Sequence, residues 1–137
     1  MKKLSFLVVL VLFTALAYGQ PQKGAVIGVY GLKVNLNPDV TMNQFLDFEI
    51  NEYIPAFEKH AEGVKVYFLK EYRGAQGFQY GLMIYCESVE VYDKYWDKEG
   101  LPTEALNKIY QEPLQDLNKK ASKFGSLGWD FTDWEIL

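Results

Sequence analysis

The chain has 137 residues, 49% hydrophobic and 16% aromatic, with 14 lysines and arginines against 18 aspartates and glutamates, for a formal net charge of −4 at pH 7. That is the size of one domain with a real core, and an acidic chain without a basic cluster is excluded as a nucleic-acid tracker, because such affinity comes largely from many Lys and Arg contacts. A single histidine and a single cysteine, His60 and Cys86, exclude an intrachain disulfide and a zinc site of the usual kind.

The first residues, MKKLSFLVVLVLFTALAYGQ, run from two lysines through an unbroken apolar stretch to small residues, the pattern of a secretory signal peptide over 1–19 that leaves a domain over 20–137. Leu4 to Ala17 is shorter than the roughly 20 apolar residues of a spanning helix, so no membrane attachment is expected after cleavage. Cleavage fits after Gly19, or two residues earlier after Ala17, and removes Lys2 and Lys3 but no acid. The expectation is an exported protein, periplasmic in a bacterium or secreted. Cys86 reads as a small buried apolar residue rather than a reactive thiol.

Residues 25–36 alternate with period two and carry apolar groups on both faces, which predicts a first strand ended by Asn37-Pro38-Asp39. Thr41-Met42-Asn43-Gln44 has the form of a capping box and opens a helix over about 41–60. Leu46, Ile50, Tyr53, Ile54, Phe57 and Ala61 form its apolar stripe. Pro55 predicts a kink near Glu52 to Ile54, or a second short helix starting there, and Gly63 a left-handed cap. Residues 64–73 and 78–86 read as a hairpin around Gly74-Ala75-Gln76-Gly77. Ser88 caps a helix over 89–98, and helix resumes after Pro102, with the stripe Ala105, Leu106, Ile109, Tyr110, Leu117, Ala121 and Phe124 bent by Pro113 and stopped by Gly125. Residues 131–137 predict a last strand.

Strand, helix, strand, strand, helix, strand is an α+β, ferredoxin-like βαββαβ order: a four-stranded antiparallel sheet with both helical regions on one face. Its other face would carry Ile27, Val29, Tyr67, Leu69, Met83 and Tyr85. That is apolar surface calling for a second copy, at roughly 25 cal/mol per Å² covered. In this order and patterning the chain resembles the dimeric α+β barrel superfamily. Locally it is similar to its EthD-like and NIPSNAP-like members, in the acidic-aromatic run Phe45-Leu46-Asp47-Phe48, in Tyr53-Ile54-Pro55 and in the turn Glu62-Gly63. The resemblance implies a homodimer with a small-molecule pocket near the first helix. Tyr53 stands where those relatives carry a histidine before x-Pro, so no catalytic histidine is transferred. The second helix lacks the histidine that haem-using relatives employ, and no cofactor is expected.

On a regular helix, at about 100° per residue from Glu49, Tyr53 falls at about 40° and His60 at about 20°. An acid, a phenol and an imidazole would then line one wall, which makes His60, Tyr53 and Glu49 the candidate catalytic set. The competing account of His60 is a helix-end residue facing free carbonyls, and it comes first. Tyr67, Tyr85, Trp96 and Arg73 are candidate ligand contacts. For the aromatics, Trp134 included, core or dimer packing is the simpler role, and Arg73 could instead pair with Glu71 or Glu87. No metal set, Gly-x-Ser-x-Gly, phosphate loop or dinucleotide fingerprint is present. Two functions follow: an exported homodimeric binder of a small organic molecule, or a cofactor-free enzyme of the oxygenase, isomerase or mutarotase kind with His60 as acid or base. A structural partner for another exported protein is a third.

Overall fold

The computed structural model describes residues 21–73 and 78–137. The expected signal peptide and its cleavage site lie outside those residues, as does the 74–77 loop. Strand β1 (Val26–Leu36) is followed by helix α1 (Met42–Phe48), a π-helical turn (Glu49–Tyr53) and helix α2 (Ile54–His60). Strands β2 (Val64–Lys70) and β3 (Tyr80–Cys86), helices α3 (Val89–Tyr95), α4 (Glu104–Gln111) and α5 (Gln115–Ala121), and strand β4 (Gly125–Glu135) complete the chain. The strands form one sheet in the order β2-β3-β1-β4, and every pairing is antiparallel. This is the ferredoxin-like α+β arrangement that the element order predicts.

Local chemistry explains the element ends. The Thr41 hydroxyl accepts from the Gln44 N–H at 3.3 Å while the Thr41 N–H donates to Gln44 Oε1 at 2.9 Å, closing the capping box. Gly63 ends α2 with φ +80°. Between α1 and α2 the helix widens rather than kinks, and the Ile54 N–H reaches back to the Glu49 carbonyl. Pro55 has no N–H to offer the Asn51 carbonyl and its ring crowds that group, so one wide turn just before it relieves the clash.

The C-terminal half departs from the expected boundaries. Helix α3 stops at Tyr95. Pro102 does not open the next helix but pairs with Trp96 in an isolated bridge, and Thr103 caps α4 instead. Pro113 divides the expected bent helix into α4 and α5. Strand β4 begins at Gly125 and runs the full length of β1, from Gly125 opposite Leu36 to Glu135 opposite Val26. Two glycines and several polar positions hide that strand locally; pairing with β1 creates it.

The register sorts side chains as the alternation predicts. Val26, Tyr30, Leu32, Val64, Val66, Leu82, Ile84 and Cys86 face the helices, and Ile27, Val29, Tyr67, Leu69, Met83 and Tyr85 share the open face with Trp134. On that open face Val29 is 42%, Tyr67 50% and Trp134 63% exposed.

Beneath the helices there are two packed clusters. Val26, Phe57, Val64, Cys86, Tyr95, Leu106 and Leu114 belong to the larger. The smaller is aromatic: Phe48 stacks on Phe124 at 4.8 Å, and Phe45 meets Phe68 edge-on at 6.1 Å. The buried Cys86 thiol is pushed up to about 12, by desolvation first and then by the Asp133 carboxylate.

Candidate functional site

Between the two clusters the helices stand off the sheet and leave a cavity of about 560 Å³. Glu49, Tyr53, Tyr110 and Asn118 hang from the helices, and Tyr30, Trp129 and Phe131 rise from the sheet. Trp96, Gly100 and Pro102 close one side. Gly100 has φ +73°, and a Cβ there would sit 2.7 Å from the Phe131 ring, so only glycine lets this loop come so close. A second cavity of about 310 Å³ lies along α1, α5 and the start of β4, and shares Glu49, Asn118, Ala121, Leu127 and Trp129 with the first. Glu49 therefore stands at the junction of the two.

Glu49 is the buried charged residue among the described residues, 9% exposed. Its carboxyl is pushed up to about 7, and desolvation is the cause. No ion pair or hydrogen bond to another described residue offsets its burial. The π-turn that begins at Glu49 aims it inward. Beside it the Tyr53 hydroxyl donates to Asn118 Oδ1 at 2.7 Å, and Asn118 Nδ2 donates to the Tyr110 carbonyl at 2.8 Å. This chain ties the π-turn to α4 and α5 and fixes which way the Asn118 amide points. Burial first, then Tyr110 and Glu49, holds the Tyr53 phenol protonated well above its ordinary range. Tyr30 and Tyr110 are likewise raised by burial. Near neutral pH the group here positioned to exchange a proton is Glu49.

The seven residues singled out from the sequence separate into two sets. Glu49, Tyr53 and Trp96 line the larger cavity. His60 does not: it is exposed at the last residue of α2 and lines neither cavity. The π-turn inserts one extra residue between Glu49 and His60, which rotates everything beyond it by roughly 100° and breaks the common wall drawn on a regular helix. Tyr67 and Tyr85 lie on the open face of the sheet. Arg73 is exposed, its guanidinium 5.2 Å from the centre of the Tyr72 ring. Glu52 faces outward and takes a hydrogen bond from Lys120 at 2.7 Å.

Asn118, Tyr110, Trp129 and Phe131 were not singled out as site residues. The period-two run Leu127, Trp129, Phe131 carries a usable signal, because it puts three large apolar groups on the face of β4 that Tyr30 shares. Asn118 sits among the apolar positions of the α5 stripe and is the other available clue.

Among the described residues no group of three or more His, Cys, Asp or Glu is placed to hold a metal ion, and no helix is long and apolar enough to cross a membrane. No family model and no sequence among curated proteins matches the chain. Solved structures to which the chain is similar include an EthD-like protein from Ralstonia eutropha, at 11% identity and TM-score 0.44 over 83% of this chain and 93% of that one. A dimeric protein of unknown function and ferredoxin-like fold from Bacteroides fragilis matches at 15% identity and TM-score 0.41 over 83% and 98%. A hypothetical protein from Arabidopsis thaliana matches at 16% identity and TM-score 0.45 over 88% and 96%. The fold assignment rests on the strand order and register described above.

Proposed function

We propose that this is an exported, homodimeric protein that binds a small organic molecule between its helices and its sheet. The observation that carries the reading is the cavity of about 560 Å³ with aromatic walls and one desolvated carboxyl, Glu49, in its lining. Natural ligand sites are concave, mostly apolar and carry a few placed polar groups, and their usual size spans roughly 300–1,000 Å³. Glu49 and Trp96 are ligand contacts in this reading, and Tyr53 is a positioning residue that holds Asn118. His60 keeps the role of a helix-end residue. Tyr67 and Tyr85 belong to the dimer interface, which covers the apolar open face and places the two cavities on the outer sides of the paired sheets. Export is supported by the pattern of residues 1–20.

Filling the cavity tests the reading. Ala121→Trp should abolish uptake of an uncharged apolar dye such as N-phenyl-1-naphthylamine while leaving the circular dichroism spectrum unchanged; undiminished uptake would place the ligand elsewhere. Analytical ultracentrifugation should find a dimer at micromolar concentration, and a monomer would refute the assembly.

A second reading is favoured by one observation, the carboxyl of Glu49 held at about 7. A group titrating there can take a proton from a substrate carbon or oxygen and return it. In this cofactor-free enzyme the acid/base role moves from His60 to Glu49. A pH–rate profile with a limb at about 7, lost in Glu49→Gln and kept in His60→Ala, is the expected result; the reverse pattern would reject it.

A further inference from the structure

We infer that the ligand of this cavity is a hydrophobic organic cation, a protonated amine whose ammonium meets the Glu49 carboxylate and whose apolar body lies among the aromatic rings. The inference rests on the cavity being a ligand site and adds the charge and hydrogen-bonding class of what enters it.

Glu49 is the acid of the two cavity linings, and neither lining contains a lysine, an arginine or a histidine. Lys120 of the neighbouring helix α5 turns away, bonded to Glu52 with its ammonium 5.2 Å from the Phe48 ring centre. A carboxylate taken out of water without a cation is costly, and a ligand that brings the cation removes that cost. An anionic ligand would add a second charge of the same sign.

The Tyr53 hydroxyl hydrogen is already given to Asn118, and one Asn118 N–H to the Tyr110 carbonyl. Toward a ligand these groups keep one donor, the second Asn118 N–H, against acceptor capacity in the Tyr53 and Asn118 oxygens and both oxygens of an ionised Glu49. An ammonium has three donors and no acceptor, so it matches the excess of acceptors; an alcohol uses them less fully, and a carboxylate meets only the one amide donor. The walls agree with this: Tyr30, Trp129 and Phe131 from the sheet and Trp96 at the closed side surround the space with aromatic rings, the residues that favour a desolvated cation.

The titratable groups facing Glu49 are few. Tyr53 lies on its own turn, Tyr110 comes from α4 and Tyr30 from β1, all phenols held neutral by burial. β2 and β3 contribute Val66, Leu82 and Ile84, and β4 contributes Leu127, Trp129 and Phe131. Proton uptake by the pocket near neutral pH is therefore that of Glu49, and a cation bound to its ionised form releases a proton.

Displacement of N-phenyl-1-naphthylamine by hexylamine, hexanol and hexanoate tests this in the intact protein. Hexylamine should be the best competitor, and its apparent affinity should rise about tenfold from pH 6 to pH 8 as Glu49 ionises through about 7. Its own ammonium stays charged over that range. Glu49→Gln should lose both the pH slope and the advantage over hexanol. If Glu49→Gln fails to fold or to take up the dye, the wild-type pH slope and the amine–alcohol comparison decide alone. Hexanol or hexanoate competing as well as hexylamine, or a flat or inverted slope with the dye still bound, would overturn the cation and leave the cavity reading standing. A wild-type protein that takes up no dye would overturn both.

Discussion

Two regions beneath the same helices are built from the same strands and end differently. Around Cys86 the space is filled: Leu106 and Leu114 are 0% exposed and Cys86 is 1% exposed. Alongside β4 it is not. Helix α5 buries none of its residues, and Trp129 and Phe131 remain 58% and 42% exposed although they face the helices. The filled end sets the distance between the layers, because α4 is anchored there by Leu106 and Ile109. Pro113 then breaks the helix, and α5 continues at that distance without descending to the sheet. The void is thus a consequence of good packing elsewhere, and Glu49 projects into the part that packing does not reach.

The contrast between the filled and the open end depends most on the α4 anchor. Leu106→Ala should cost about 2–5 kcal/mol in urea denaturation, the range for emptying a fully buried leucine site, and a loss below about 1 kcal/mol would show that the filled end does not hold the layers. Next in size is the pH dependence of the open end. The Glu49 carboxyl sits at about 7 when folded and at about 4.5 otherwise, so the folded chain binds the extra proton. Its contribution to stability is fully present below about 4.5 and is lost as pH rises through about 7. The loss is on the order of 3 kcal/mol, and Glu49→Gln should flatten it; an unchanged slope in the variant would place the proton elsewhere. Smaller again, Thr41→Ala should cost about 1 kcal/mol through the lost cap of α1, the helix that carries the chain into the Glu49 turn. Least of all, Trp134→Ser on the open face should change the stability of one subunit by no more than about 0.5 kcal/mol while weakening dimerisation in sedimentation. Equal dimer strength in both proteins would remove Trp134 from the interface.

Much of this contrast is legible in the residues. The capping box at Thr41 and Gln44, the left-handed Gly63, the two faces of the hairpin and the six-element order are local patterns, and local chemistry decides them. Glu49 and Tyr53 can be placed together because they lie within a turn of each other. His60 cannot be placed from the same periodicity, since the wide turn before Pro55 inserts a residue into the phase count and only the backbone reveals it. The extent of β4 is hidden for another reason. Gly125, Ser126 and Gly128 have little strand preference of their own, and their conformation is imposed by hydrogen bonds to β1. Trp129 and Phe131 entered the cavity only with that pairing.

The lone thiol of the filled end has a practical consequence. Alkylating reagents and oxidants attack thiolates, and with its ionisation deferred to about 12 and its surface sealed, Cys86 is inert while the domain stays closed. Iodoacetamide would label it only during an opening that separates the helices from β3, so the labelling rate is an intrinsic clock for whole-domain breathing. A ligand that seats beside Glu49 should slow that clock without ever touching the sulfur.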